Sequence, residues 1–225
     1  MLTTVPAYVT IIFIVTVLLT CWLFIKAAEQ KRKAAIIIFI WLAITGLLAG
    51  RGYFLNTTTL PPRFLLAIVP AFITVVLLII TNKGMLFTSQ LNLRYLTWLH
   101  VVRIPVELVI YWLFLYKAVP ELMTFTGRNY DILSGITAPF IVASCFKSDH
   151  ITNKKLLLAW NIICLLLLLN IVINAVLAAP FVFQQFAFDQ PNIAVLYFPF
   201  VWLPACIVML VLYSHLAAIM RLTMK

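Results

Sequence analysis

A chain of 225 residues with 65% hydrophobic and 10% charged side chains, and a mean hydropathy of +1.13, lies far outside the soluble average, where about a quarter of residues are charged. Its apolar runs take up nearly the whole length and leave no stretch able to bury a separate soluble core, so one membrane-embedded domain spanning 1–225 is expected. The net charge of +10 is divided among short clusters between apolar runs; it forms no folded basic surface, which excludes nucleic acid as a partner and leaves the lipid bilayer.

Seven runs approach the roughly 20 apolar residues that a bilayer requires: about 5–25, 34–50, 64–81, 95–116, 132–146, 156–179 and 193–219. The sequence therefore predicts an all-α integral membrane protein, a bundle of seven transmembrane helices. The first run has no basic residue before it and Lys26 behind it, the reverse of a secretory signal, so it is read as a true span. The second ends in Gly46-Leu-Leu-Ala-Gly50, a small-xxx-small pattern that suits close packing against a helix of the same chain or, in a homo-oligomer, of a second protomer. Prolines fall inside the third, fourth and fifth runs at Pro70, Pro105 and Pro139. Pro199 and Pro204 both lie in the first half of the seventh, which is expected to be the most bent.

Lysine and arginine in the loops orient the bundle. Eleven (Lys26, Lys31, Arg32, Lys33, Lys83, Arg94, Lys147, Lys154, Lys155, Arg221 and Lys225) fall on one side and four (Arg51, Arg63, Lys117 and Arg128) on the other. The N-terminus is thus expected outside and the C-terminus in the cytoplasm, with the bacterial inner (plasma) membrane as the expected location. The four cysteines lie in or beside apolar runs with no CxxC spacing, so neither a disulfide framework nor a zinc site is indicated.

The fourth span carries the candidate site. His100, Arg103, Glu107 and Tyr111 lie on one face at about 100° per residue, over about 16 Å of helix. A charge near the bilayer centre costs about 2.5–3.5 kcal/mol, so this stripe must face the bundle interior. Arg103 and Glu107 are four apart and could pair, although the acid-last order is the weaker one on a helix. Asn170 and Asn174 share a face of the sixth span and Asn161 lies on its opposite face; His215, near the end of the seventh, is expected at the depth of His100. Asp131, Arg128 and Asn129 gather at the outer mouth of the fifth.

The expected function is binding, with or without transport, of a small polar or anionic solute in an intramembrane cavity beside the fourth helix. His100, Arg103, Glu107, Tyr111, Asn170 and Asn174 would line it. A second reading makes the Arg–Glu–His network structural, in a seven-helix sensor or accessory subunit. A third uses His100 and His215 as axial haem ligands; the main reading needs no cofactor. Catalytic motifs of the GxxxxGK[ST], HExxH and GxSxG types are absent, and no lysine inside a span could carry a retinal Schiff base, so an enzyme is not the expected class.

Overall fold

The computed structural model describes Leu2 and residues 4–224; Lys225, counted above on the basic side, lies outside the described residues. The chain is mostly helical. Its elements are α1 (Ala7–Ala27), α2 (Lys31–Gly50), α3 (Leu65–Ile80), α4 (Asn82–Ser89), α5 (Leu93–Leu99), α6 (Arg103–Leu115), α7 (Ile132–Cys145), α8 (Lys154–Leu177) and α9 (Val208–Thr223). A short β1–β2 hairpin, with Phe146 opposite Ile151 and Lys147 opposite His150, joins α7 to α8.

Among the described residues, five helical segments are long and apolar enough to cross a membrane: α1, α2, Leu93–Leu115, α8 and Leu203–Thr223. The third and fifth expected spans are shorter. α3 turns by 84° into α4, and α7 has 14 residues, about 21 Å against a hydrocarbon core of about 30 Å. Capping chemistry sets the breaks. Thr81 accepts the Gly84 N–H at 3.1 Å, Asn92 accepts those of Arg94 and Tyr95 at 3.0 and 3.2 Å, and Asn153 accepts that of Leu156 at 3.0 Å. Within the helices Thr16, Thr20, Thr45, Thr74, Thr97 and Thr137 return their hydroxyls to the carbonyl four residues back, which satisfies them without water.

The expected seventh span, 193–219, is corrected at its start. Residues 193–201 hold a three-residue 3-10 turn, Ala194–Leu196, followed by irregular turns, and the continuous helical segment opens with a π-helical turn, Leu203–Ile207. Two prolines five apart each remove an N–H, so no regular ladder runs through 199–204, whereas Pro204 in the first turn needs no donor. The Trp41 indole donates to the Ala205 carbonyl within this turn at 3.0 Å, and Trp202 donates to the Leu42 carbonyl at 3.0 Å. Gly46 faces the Trp202 and Phe198 rings of the same chain, and Gly50 faces open space.

The α5–α6 rod is the centre of the bundle and packs against α1, α7 and α9, while α8 covers α7 and α9. A 3-10 turn, His100–Val102, joins its two halves just before Pro105. At one end of the bundle, the Asn92 N–H reaches the Ala27 carbonyl, Arg221 reaches the Leu91 carbonyl, and Thr88 meets Tyr213. At the other end, segments 117–131 and 178–194 pack on each other: the Ala118 carbonyl accepts from Ile193 and Ala194, and Gln190 donates to the Phe114 and Val119 carbonyls. Thr88 and Tyr213 share a buried 2.7 Å hydrogen bond that ties α4 to α9. Tyr213→Phe is expected to lower stability by about 1 kcal/mol, read as a lower thermal unfolding midpoint.

Candidate functional site: a buried ionic cluster beside an apolar cavity

Arg103 opens α6 at mid-rod and is 2% exposed. Its Nη1 pairs with Asp131 Oδ1 at 2.7 Å, and its Nη2 lies 3.2 Å from His215 Nε2. Since a guanidinium only donates, Nε2 accepts and the His215 proton sits on Nδ1, which donates to Asn161 Oδ1 at 2.9 Å. Asn161 passes its own N–H to the Leu157 carbonyl at 2.8 Å. One chain of hydrogen bonds therefore crosses from α7 through α6 and α9 to α8 and holds His215 as a neutral, single tautomer.

Asp131 reaches Arg103 because the connection before α7 folds back into the bundle. Thr124 caps a tight turn on the Glu121 carbonyl, and Gly127 sits so close to Leu122 Cα that a Cβ would approach it to 2.7 Å. Asn129 then turns inward, fully buried. Its side chain donates to Glu107 Oε2 at 2.6 Å and to the Met123 carbonyl at 2.9 Å, and its Oδ1 accepts the Asp131 N–H at 2.9 Å. Irregular backbone buried in this way is tolerated because the protein itself satisfies it. On the far side of the pair, Gly135 lets α7 approach α6: a Cβ there would lie 3.0 Å from the Ile104 backbone nitrogen.

His100 is equally buried and stacks on His215, with ring centroids 4.0 Å apart at 16°, while Trp160 presents an edge to it at 5.3 Å. The two histidines, expected from different spans, stand side by side in the bundle. Axial haem ligands, in contrast, aim at a porphyrin lying between them, and two stacked imidazoles leave no gap for one. Among the described residues no group of three or more His, Cys, Asp or Glu side chains could hold a metal ion.

The other expected residues divide. Glu107 does not pair with Arg103: each takes its partner from 129–131, Glu107 the amide and Arg103 the carboxylate. Tyr111 is half-buried against Phe125, ring centroids 4.9 Å apart, away from the ions. Asn170 and Asn174 serve the loop end of α8, where Asn170 donates to the Arg128 carbonyl at 2.8 Å and Asn174 to the Asn170 carbonyl at 2.9 Å. Asp131 and Asn129 were legible only as a polar cluster at the mouth of a span. The signal that could have promoted Asp131 is scarcity, because the chain has six acidic residues and a buried arginine needs one of them.

A cavity of about 170 Å³ lies between α3, α6, α8 and the start of α9. Arg103, Glu107 and Asp131 line it at mid-bundle, Phe64, Phe181 and Asn192 line it at the end opposite the basic residues, and the wall between is almost wholly apolar. A dry cavity of about this size admits a benzene-sized group. Two buried polar atoms among its lining residues, Arg103 Nε and Asn192 Oδ1, have no hydrogen-bond partner among the described residues.

Residues 60–223 match the model of a family described as Domain of unknown function (DUF8737). The chain belongs to that family. No curated protein and no solved structure matches it. The DUF8737 stretch begins after α2 and contains every residue of the ionic cluster and most of the helices that enclose it.

Proposed function

We propose that this protein is a seven-span membrane protein, N-terminus outside, that binds a small molecule with an apolar body and one hydrogen-bond-donating group. The body occupies the cavity between α3, α8 and α9, and the polar group meets Glu107. The observation that carries this reading is the cavity itself, apolar along its walls and ionic at one end. Glu107 Oε2 is taken by Asn129, and Oε1 has no partner among the described residues. Arg103 is already matched by Asp131, so an anion gains less here than a hydroxyl, an amide or an amine does. This narrows the expected polar or anionic solute to a donor. The gathering of basic residues at the opposite end of the bundle supports that end as cytoplasmic. Plain apolar helices suit a bacterial inner membrane, where an outer membrane would call for a barrel.

Binding is better supported than transport. The stacked layer of His100, His215 and Trp160 closes the way from Arg103 toward the basic end, and passage of a solute requires that layer to open.

The purified full-length chain, heated with 1-hexanol, hexylamine or hexanoate in turn, tests the reading. Hexanol or hexylamine is expected to raise the unfolding midpoint and hexanoate to leave it unchanged. Glu107→Gln, which puts an amide donor where the free carboxyl oxygen stands, is expected to weaken the effective ligand about 3- to 10-fold, the worth of one hydrogen bond. Ala175→Trp, which fills the cavity, is expected to abolish the shift. A shift that survives Ala175→Trp in a folded protein refutes the assignment.

A further inference from the structure

A second cleft, unconnected to the ionic cluster, opens on the lipid-facing side of the bundle. α2 leans on α1 and on the π-helical turn, α3 leans on α9, and between them lies a groove of about 770 Å³. Its floor is Ala205, Cys206, Met209 and Tyr213 from the last helical segment. The indole of Trp41, bonded to the Ala205 carbonyl, marks its mid-bundle end. The other end is different in kind: Gln30 and Lys33 at the start of α2 and Lys83 at the start of α4 all line the groove there.

Both lysines are exposed, and among the described residues neither makes an ion pair. α4 leaves α3 at 84°, so if α3 crosses the bilayer α4 lies along its surface and carries Lys83 at headgroup level. From Lys33 to Trp41 is eight residues, about 12 Å of helix, a depth that takes the upper part of an acyl chain.

We propose that this groove is a binding site for one anionic glycerophospholipid of the surrounding leaflet. Its phosphate group lies between Lys33 and Lys83, with the Gln30 amide as a further donor, and one acyl chain runs down between α2 and α3 over Met209 and Cys206. Charge complementarity selects the lipid class: the apolar walls accept any acyl chain, and the paired ammonium groups favour a net negative head over a zwitterionic one. The bound chain fills the gap between the α2 and α3 walls along the groove.

The test uses the purified full-length protein with phosphatidylglycerol, phosphatidylcholine of identical chains, or inorganic phosphate, read by thermal unfolding and by native mass spectrometry of retained lipid. Phosphatidylglycerol is expected to stabilise the protein and remain bound, phosphatidylcholine to need at least about 10-fold more for the same shift, and phosphate alone to do nothing. Lys33→Gln/Lys83→Gln is expected to weaken phosphatidylglycerol about 25-fold, from about fivefold per surface lysine, and to weaken phosphatidylcholine much less, because its choline already offsets the phosphate charge. Ala71→Trp, in the groove wall, is expected to displace both lipids. Equal response to the two lipids, full phosphatidylglycerol binding by the double lysine variant or by Ala71→Trp, or an equal shift with inorganic phosphate, would overturn the proposal.

Discussion

Asp131→Ala is expected to be the most damaging single substitution outside the helix backbones, lowering stability by about 3–5 kcal/mol. The cost comes less from the lost attraction than from what remains. Arg103, 2% exposed at mid-bundle, keeps its charge and loses the carboxylate that sits 2.7 Å from Nη1. Its other partner, His215 Nε2, is neutral and already committed to Asn161 through the far side of the ring. Removing both charges should therefore recover much of the loss. Arg103→Met/Asp131→Ala is expected to unfold at a higher temperature than Asp131→Ala alone, since a buried pair replaced by apolar side chains is often neutral or better. If the double variant is as unstable as the single one, the damage comes from the 129–131 turn and the ion pair is not its source.

Gly135→Val is the second large effect expected. A β-carbon at this position would stand 2.9 Å from Ile104 Cγ1 and 3.0 Å from the Ile104 backbone nitrogen, and the backbone atom has no rotamer by which to move away. Overpacking of this kind costs about 1–3 kcal/mol. Here the strain falls between Asp131 and Arg103, because Gly135 lies one turn into the helix that Asp131 precedes. Pushing α7 off α6 lengthens the ion pair as well, so the loss of thermal midpoint should exceed that of an equal insertion elsewhere. Gly50→Ala is the control. Gly50 ends α2 with nothing within 4 Å of its missing β-carbon, and alanine there is expected to be neutral or stabilising by up to about 1 kcal/mol. Parallel thermal unfolding of the two variants in one detergent separates a packing requirement from a general intolerance of change.

What the sequence by itself determined are the features that depend on near neighbours along the chain. Apolar runs of bilayer length placed the helices within a few residues, because burying backbone polar groups in lipid requires an unbroken internal ladder and hydropathy reports where one is needed. Helical periodicity put His100, Arg103 and Glu107 on one inward face, and all three are buried there. The start of the last helix was the exception. Hydropathy counts residues 193–202 as membrane-compatible, yet Pro199 and Pro204 deny them a helical ladder.

Only the tertiary structure decided how the charges are satisfied. Arg103 and Glu107 are spaced to pair along the helix but are served by Asp131 and Asn129, which come from a connection whose inward fold has no local signature. Asn174 donates to the Asn170 carbonyl, which its own helix offers four residues back, and Asn170 donates to the Arg128 carbonyl of a connection that only the fold brings near. The cavity has no sequence signature at all. It is the space left where α3, α8 and α9 fail to close over the ionic cluster, and a void is a property of packing between helices, to which each helix contributes only one wall.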